Sequence, residues 1–185
     1  METKLKVRSF DSPLSPEEFA RIPRNPIYVI VEDLRSAFNV GSIVRIADCA
    51  RIEKIIFCGI TAHPPHKKLE KTAVGAIPYV AWEYKSNSID AVKEIKEKGV
   101  PVYALETTNR SRIIWDVKFP LPVAVVVGNE ALGVSEKVLE LADEIVEIPM
   151  LGYKNSINVA VAFGITVYEI QRQYWDLNSF RNKYI

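Results

Sequence analysis

Short, continuous runs of apolar residues alternate along the chain with segments of helical periodicity, and this alternation constrains the fold most. The strongest runs are Ile27–Val31, Val100–Leu105 and Leu121–Val127, which are rich in β-branched residues. Strands that are apolar on both sides are typical of a sheet covered by helices. The pattern therefore predicts an α/β fold with a mostly parallel sheet and helices on both faces.

Weaker patterns predict the remaining elements. Ser15-Pro16-Glu17-Glu18 has the sequence of a capping box and predicts a short helix within an N-terminal arm, residues 1–26. Residues 59–68, which include both histidines, are predicted to form a loop. The other predicted elements are a helix that begins at Asn39, strands over Lys54–Cys58, Tyr79–Tyr84 and Glu144–Ile148, and helices over Ser88–Lys98 and Glu136–Ala142.

Composition excludes several classes of protein. With 185 residues, of which 48% are hydrophobic, the chain is long enough for one domain with a substantial core. Its net charge of +1 requires that any nucleic-acid binding use a local basic patch. Cys49 and Cys58 lack the spacing of a metal or redox pair, and His63 and His66 have no further ligand nearby. We therefore expect a cytoplasmic protein without a metal or a membrane span.

The stretch Ile148–Ile165 combines the end of a strand, a tight turn and a helix that is apolar almost all round. A helix of this kind is normally buried on more than one side. Its predicted start, Asn155–Asn158, places small polar side chains at unpaired backbone N–H groups. This arrangement is typical of either a capped core helix or a small-ligand site.

Three predicted strands end at loops of small polar residues, after Leu105, Val127 and Ile148. In a parallel sheet these carboxyl ends lie along one edge, where ligands bind. None of the loops contains a GxGxxG or GK[ST] phosphate-binding pattern. The edge therefore suits a ligand such as an adenosine with an uncharged or positive tail better than a dinucleotide or a triphosphate.

Three ordered motifs resemble those of a known family. They are Asn39–Arg45 with Ala47, then Val127-Gly128-Asn129-Glu130 with Gly133 and Ser135, then Ile148-Pro149-Met150 and Ser156-Ile157-Asn158-Val159. Together they are similar to the motifs of the SpoU-type RNA 2′-O-ribose methyltransferases of the SPOUT superfamily, over about residues 27–173. Ala131 and Ile157 stand where many members have Gly and Leu, and both changes are small.

The resemblance implies an S-adenosylmethionine-dependent methyltransferase domain, residues 27–175, that ends in a deep trefoil knot and is followed by a tail, residues 176–185. It also implies a homodimer formed through the C-terminal helix. A second subunit would explain why that helix is apolar on so many sides, because one subunit alone leaves such a face exposed.

The resemblance also implies roles for individual residues. Catalytic roles fall to Asn39, Arg45, Glu130, Ser156 and Asn158. Cofactor contacts fall to Leu105, Glu106, Thr107, Val127, Gly128, Asn129, Ile148, Met150, Ser156 and Ile157. The predicted RNA contacts are Arg35, Arg45, Lys67 and Lys68. Arg45 is expected to reach a site that contains the partner's cofactor, where it would orient a phosphate and stabilise a forming alkoxide rather than act as a base.

Other interpretations remain open at this point. Arg45 could form an ion pair with Asp48 on the helix surface, and Asn39 could simply cap its helix. The expected function is methyl transfer to a ribose 2′-hydroxyl of tRNA or rRNA, with tRNA favoured. The alternatives are a catalytically silent RNA-binding homodimer of the same fold and a different nucleotide-binding α/β enzyme.

Overall fold

The structure, a computed structural model, describes Ser12 and residues 14–174. Its helices are α1 (Pro16–Arg21), α2 (Ala37–Cys49), α3 (Lys67–Ala73), α4 (Ser88–Glu97), α5 (Glu136–Leu141) and α6 (Val159–Tyr174). Its strands are β1 (Asn25–Glu32), β2 (Ile52–Cys58), β3 (Trp82–Lys85), β4 (Val102–Leu105), β5 (Arg112–Ile113), β6 (Val123–Val127) and β7 (Glu144–Glu147). Single 3₁₀ turns cover Ile77–Tyr79 and Ile114–Asp116. The predicted tail and residues 1–11 and 13 of the predicted arm lie outside the described residues.

The seven strands form one sheet in the order β3-β2-β1-β6-β4-β7-β5. Every pair of neighbouring strands is parallel, with β1 paired to β6 from Ile27–Val123 to Val31–Val127. The predicted α/β class is therefore confirmed, and the sheet is wholly rather than mostly parallel. The six predicted strands are present with shifted ends, whereas β5 has only two residues and is too short for a pattern to reveal.

Helices cover both faces of the sheet, as the sequence predicts. On one face α2, α3 and α6 pack over side chains such as Val29, Phe57 and Val125 in one core. On the other face α4 and α5 pack over a second core that includes Ile30 and Val126. Successive residues of Ile27–Val31 in β1 and of β6 thus point into different cores, which explains why both segments are apolar at every position.

The predicted start of the helix after β1 is wrong by about one half-turn. Helix α2 begins at Ala37 because Ser36 Oγ accepts the N–H of Asn39 at 3.3 Å and caps the helix. Asn39 therefore lies in the first turn and is not the cap. Its side chain is available for other partners.

The C-terminal helix also begins later than predicted, at Val159 rather than at Asn155. The Asn158 side chain accepts the N–H groups of Ala160 at 2.9 Å and Val161 at 3.4 Å, which are cap contacts. Ser156, which was expected inside the helix start, lies in the exposed loop before it. A run of small polar residues contains several possible caps, and only the tertiary contacts of Asn158 select one.

Helix α3 replaces the last part of the predicted loop 59–68. The His66 side chain caps it through Nδ1, which lies 3.4 Å from the N–H of Leu69. Leu69 and Ala73 are buried against the neighbouring helices and strands. Lys67 and Lys68 consequently lie in the exposed first turn of a helix rather than in a loop.

The end of α6 is bonded to the segment before β6. The Gln173 side chain accepts the N–H of Phe119 at 3.0 Å and donates to the carbonyl of Val117 at 2.9 Å. These bonds fix the last turn of α6 against a segment more than fifty residues earlier in sequence. Within the part of the chain that the structure describes, no helix has the length and apolar character needed to cross a membrane.

Candidate active site

A cavity of about 850 Å³ opens at the carboxyl ends of β4, β6 and β7. All ten predicted cofactor contacts line it, and so do four of the five predicted catalytic residues, Asn39, Glu130, Ser156 and Asn158. The remaining lining residues are Ala131, Leu132, Gly133, Glu147, Asn155, Val159 and Ala162. The structure therefore brings together residues from four separate parts of the sequence, because parallel strands end at a common edge.

The loop after β6 forms one wall of the cavity and is tightly folded. Asn129 and Gly133 exchange backbone hydrogen bonds of 3.0 and 2.9 Å, which closes the loop. A Cβ atom on Gly128 would lie 2.3 Å from Val134 N and from the Gly133 carbonyl carbon. Only glycine fits at position 128, since backbone atoms cannot move aside as a side chain can.

Three of the predicted catalytic residues form one hydrogen-bonded network at the cavity mouth. Asn39 Nδ2 donates to Glu130 Oε1 at 2.9 Å, and Asn39 Oδ1 accepts from Asn158 Nδ2 at 3.0 Å. The central amide thus uses both its donor and its acceptor, which fixes its orientation. The network joins the first turn of α2, the loop after β6 and the start of α6.

Glu130 also binds the loop after β1. Its carboxylate accepts the backbone N–H groups of Arg35 at 2.9 Å and Ser36 at 3.0 Å, in addition to the Asn39 amide. Burial acts to raise the pKa of Glu130, but these hydrogen bonds outweigh it and lower the pKa below its ordinary value. Glu130 is therefore an anionic anchor at neutral pH and not a proton donor.

Acidic side chains dominate the charge of the cavity. Glu106, Glu130 and Glu147 line it. Among the described residues that line the cavity there is no lysine, arginine or histidine. Glu106 accepts the N–H groups of Thr107 and Val134, each at 2.9 Å, and so holds the loop after β6 as well. This electrostatic environment favours a cationic ligand and disfavours a phosphorylated one.

Sequence reasoning missed Glu147 among the residues that line the cavity. It is the last residue of β7 and directly precedes Ile148, so its position at a strand end was an available signal. Ser111 Oγ donates to Glu147 Oε2 at 2.7 Å, which orients the carboxylate. The contact joins β7 to the segment before β5, which no sequence pattern connects.

Arg45 does not line the cavity. It is exposed on α2, six residues after Asn39, so it lies about 9 Å further along the helix axis. The other predicted RNA contacts, Arg35, Lys67 and Lys68, are likewise exposed and lie outside the cavity lining.

One face of α6 carries exposed apolar side chains. Val161 is 53% exposed, Ile165 36% and Tyr168 43%, and their spacing places them on one side of the helix. Helix α2 packs beside α6 and exposes Phe38 and Arg45. The sequence predicted a helix buried on several sides, whereas a single subunit buries only part of it.

A model of the SpoU rRNA methylase family matches residues 26–168, most of the chain. The chain belongs to this family. The SpoU match contains all three motifs and thereby confirms the resemblance inferred from the sequence. Among the described residues there is no cluster of three or more His, Cys, Asp or Glu side chains able to hold a metal.

Relatives in this family include named RNA methyltransferases. The tRNA (guanosine(18)-2′-O)-methyltransferase of Thermus thermophilus is 32% identical over 157 residues, which are 85% of this chain and 80% of the relative. The enzyme of the same name from Aquifex aeolicus is 32% identical over 150 residues, or 80% of this chain and 69% of the relative. A Staphylococcus haemolyticus relative is 32% identical over 145 residues, and the chain spans only 58% of its length.

Solved structures of SpoU proteins share the fold. The TrmH/SpoU tRNA modifying enzyme of A. aeolicus superposes with a TM-score of 0.73 at 31% identity, covering 81% of this chain and 76% of that protein. The AdoMet-bound rRNA methyltransferase of Sinorhizobium meliloti gives a TM-score of 0.76 at 26% identity, covering 85% and 60%. Both neighbours are named as RNA-modifying enzymes, and the second was solved with AdoMet.

Proposed function

We propose that this protein transfers a methyl group from S-adenosylmethionine to a ribose 2′-hydroxyl of tRNA or rRNA in the cytoplasm. One observation carries the proposal: Asn39, Glu130 and Asn158 form a single bonded network at the mouth of the acidic cavity. A silent RNA-binding protein needs neither the cavity nor the network. Names of relatives that methylate tRNA 2′-oxygens support the same reaction.

The cavity fits S-adenosylmethionine in size and charge. Its volume of about 850 Å³ lies within the range of cofactor sites. Backbone groups around Leu105, Gly128 and Ile157 would hold the adenosine, and the carboxylates of Glu106 and Glu147 would favour the cationic tail. When bound, the cofactor supplies an activated methyl group on a sulfonium. The phosphates of ATP or NAD would meet like charge there, which argues against the other nucleotide-binding enzymes.

Arg45 is the residue proposed to act on the substrate. A guanidinium stays protonated in proteins, so Arg45 is suited to orient the phosphate beside the target ribose and to stabilise developing negative charge on the 2′-oxygen. The proton of the 2′-hydroxyl would leave to that phosphate or to water. Arg45 lies outside the cavity of its own subunit, and this supports the expectation that it serves the cavity of a partner subunit.

We propose a homodimer in which α6 and the adjacent surface of α2 pack against a second copy. The exposed stripe of Val161, Ile165 and Tyr168 supplies the apolar surface that such an interface needs. Phe38 and Arg45 lie on the neighbouring helix, so the same interface would carry Arg45 toward the partner's cavity.

A test of this arrangement uses two defective variants. Arg45→Ala keeps its cavity but lacks the guanidinium, and Thr107→Arg introduces bulk and positive charge into an exposed position of the cavity lining. Co-refolded mixtures should recover methyl transfer through hybrid dimers, although each variant alone is inactive. Without recovery in a mixture shown to contain hybrid dimers, Arg45 would serve its own subunit.

We also propose that the chain forms the trefoil knot expected from the resemblance. Residues 106–122 leave β4, reach β5 at the far edge of the sheet and return to β6, so they pass across β7. The chain then continues from β7 into α6, whose last turn bonds to Val117 and Phe119 of that crossing segment. This path supports threading of the C-terminal segment through the loop. The proposed methyltransferase domain covers residues 27–175, of which the structure describes 27–174.

The experiment that tests the function measures transfer of labelled methyl groups from S-adenosylmethionine to unmodified tRNA and, separately, to rRNA. We expect transfer to tRNA and an alkali-resistant dinucleotide in the product, since a methylated 2′-oxygen blocks alkaline cleavage. Arg45→Ala protein is the control and should transfer nothing. Tight cofactor binding without transfer to either RNA would favour the catalytically silent dimer, and absence of cofactor binding would overturn the proposal.

A further inference from the structure

Three aromatic side chains without a role in the proposed reaction lie together at the outer edge of the sheet. The His63 ring centroid is 4.6 Å from that of Tyr84 and 6.1 Å from that of Trp82, where the two planes are only 26° apart. Trp82 is 39% exposed and Tyr84 44% exposed. We call His63, Trp82 and Tyr84 the aromatic platform.

The aromatic platform is held in place by the fold. The Tyr84 hydroxyl donates to the carbonyl of Gly59 at 3.2 Å, and the Trp82 ring lies 6.0 Å from the buried ring of Phe57. Both tyrosine and tryptophan are on β3, where they point to the same face two residues apart. Rings that are already ordered lose little conformational freedom when a ligand stacks on them.

The helix that follows His63 in the chain is mostly positive. Helix α3 begins four residues after His63, and its exposed Lys67 and Lys68 form no ion pair with any described residue. On β3 the carboxylate of Glu83 is neutralised by Lys54 at 3.1 Å. Glu70 is the one acidic residue of α3, against three lysines. Exposed rings followed closely in the chain by lysines without an ion pair match a ligand that has both aromatic faces and phosphates.

The platform is connected to the cavity mouth by a chain of short contacts. Gly59, which accepts the Tyr84 hydroxyl, precedes Ile60, whose N–H donates to Asp33 Oδ1 at 2.9 Å. The carbonyl of Asp33 accepts from Asn129 in the wall of the cavity at 2.7 Å. Arg35, two residues after Asp33, is exposed, and its backbone N–H binds Glu130 of the cavity lining. These contacts therefore link the platform and the cavity mouth along one edge of the sheet.

We propose that the aromatic platform stacks an unpaired base of the RNA substrate, close to the nucleotide that is methylated. The inference rests on the proposed function and narrows it to RNA with an unpaired, loop-like segment beside the target. A base exposes its face only when it is not stacked in a duplex, whereas phosphate contacts alone accept single and double strands alike. The lysines of α3 would then contact the backbone of the same segment.

The first experiment measures stacking directly and does not require methyl transfer. The chain has three tryptophans, so Trp115→Phe combined with Trp175→Phe leaves Trp82 as the only one. Trp175 lies outside the described residues. Addition of a single-stranded oligoribonucleotide should quench the fluorescence of Trp82, and a fully paired duplex of the same sequence should quench it much less. Absence of quenching by the single strand, or equal quenching by the duplex, would overturn the proposal.

A second experiment compares Trp82→Leu with Trp82→Phe in the otherwise unchanged protein. Leucine retains apolar contact with Phe57 but offers no aromatic face, so the Kd for single-stranded RNA should rise about tenfold. Phenylalanine should retain most of the affinity. The Kd for S-adenosylmethionine and the melting temperature should be alike in both variants.

The two proposals fail in different ways. Quenching of Trp82 without methyl transfer would leave an RNA-binding platform on a protein that is not an enzyme. If a folded Trp82→Leu protein transferred methyl groups and bound RNA as tightly as the parent, the proposed function would stand. The proposal that the aromatic platform stacks a base would then be wrong. In that case the exposed rim of β3 would be left as a surface for a protein partner, which would bind by adding a strand.

Discussion

The carboxyl edge of the sheet has two halves that differ in charge and in bonding. In the first half, the loops after β4, β6 and β7 surround a cavity lined by three glutamates and no basic side chain. In the second half, the loops after β1 and β2 and the start of α3 present the exposed side chains of Arg35, Lys67 and Lys68. We call these the cavity half and the outer half.

The bonding of the two halves follows the same division. Several polar groups of the cavity half bond to one another, as in the Glu106–Val134 and Ser111–Glu147 contacts. The basic side chains of the outer half have no ion-pair partner among the described residues. The difference shows how one edge can suit both a cationic cofactor and a polyanionic substrate. Glu130 lies at the boundary and binds the loop after β1.

The largest expected effect is the loss of cofactor binding when a substitution moves the wall of the cavity. Gly128→Ala places a Cβ atom 2.3 Å from backbone atoms of Gly133 and Val134, so the wall of the cavity must move. We expect binding of S-adenosylmethionine to become undetectable by calorimetry, together with a lower melting temperature. The matched control is Gly164→Ala in α6, where the nearest atom to the new Cβ is Ile46 Cδ1 at 3.5 Å. Normal cofactor affinity in Gly128→Ala would show that the wall is not rigid.

Arg45→Lys should lower methyl transfer to the substrate without changing the affinity for the cofactor. Lysine keeps the charge but loses the planar fork that binds a phosphate with two hydrogen bonds. We expect methyl transfer to fall about a hundredfold, which corresponds to roughly 2.7 kcal/mol of transition-state stabilisation. The Kd for S-adenosylmethionine should stay constant, since Arg45 does not line its own cavity. Transfer at near the parent rate would show that fork geometry is unimportant.

Substitutions of Asn158 test the hydrogen-bonded network of Asn39, Glu130 and Asn158, which joins the two halves. Asn158→Ala removes the cap of α6 and the bond to Asn39, so we expect a loss of about 1 kcal/mol in unfolding free energy. Turnover or cofactor affinity should fall as well, while the dimer stays folded. Asn158→Asp is the informative companion, because it keeps the capping oxygen but cannot donate to Asn39. If both variants match the parent in turnover and cofactor binding, Asn158 is only a cap.

The smallest expected effect is a pH dependence of the unfolding free energy, which arises from Glu130 at the boundary between the two halves. Because its folded-state pKa is lowered, Glu130 stabilises the folded protein above its ordinary pKa of 4.5, and this stabilisation is lost as the pH falls through the lower folded value. The difference in unfolding free energy between the parent and Glu130→Gln should therefore shrink from pH 7 to pH 3. Urea unfolding at several pH values measures it. A difference that is constant with pH would mean that the bonds to Arg35, Ser36 and Asn39 do not require the charge.

Much of this architecture could be predicted from the chain alone. Runs such as Leu121–Val127 are apolar at every position because both faces of their strands are covered. The fold class and the layers of helices on the sheet therefore follow from the hydrophobic pattern. The ten cofactor contacts expected from the motifs do line one cavity. Their roles and those of the catalytic residues stay predictions until the variants above are measured.

What the sequence by itself determined is six of the seven strands, the common edge where they end and the motifs on that edge, since these depend on local periodicity and short spacing. The tertiary structure alone decided that Asn158 and not Asn155 caps α6, and that Ser36 and not Asn39 caps α2. It also placed Glu147 in the cavity and His63 beside Trp82. These outcomes depend on contacts between residues far apart in sequence, and a local pattern contains no information on which of several equivalent polar groups will meet its partner.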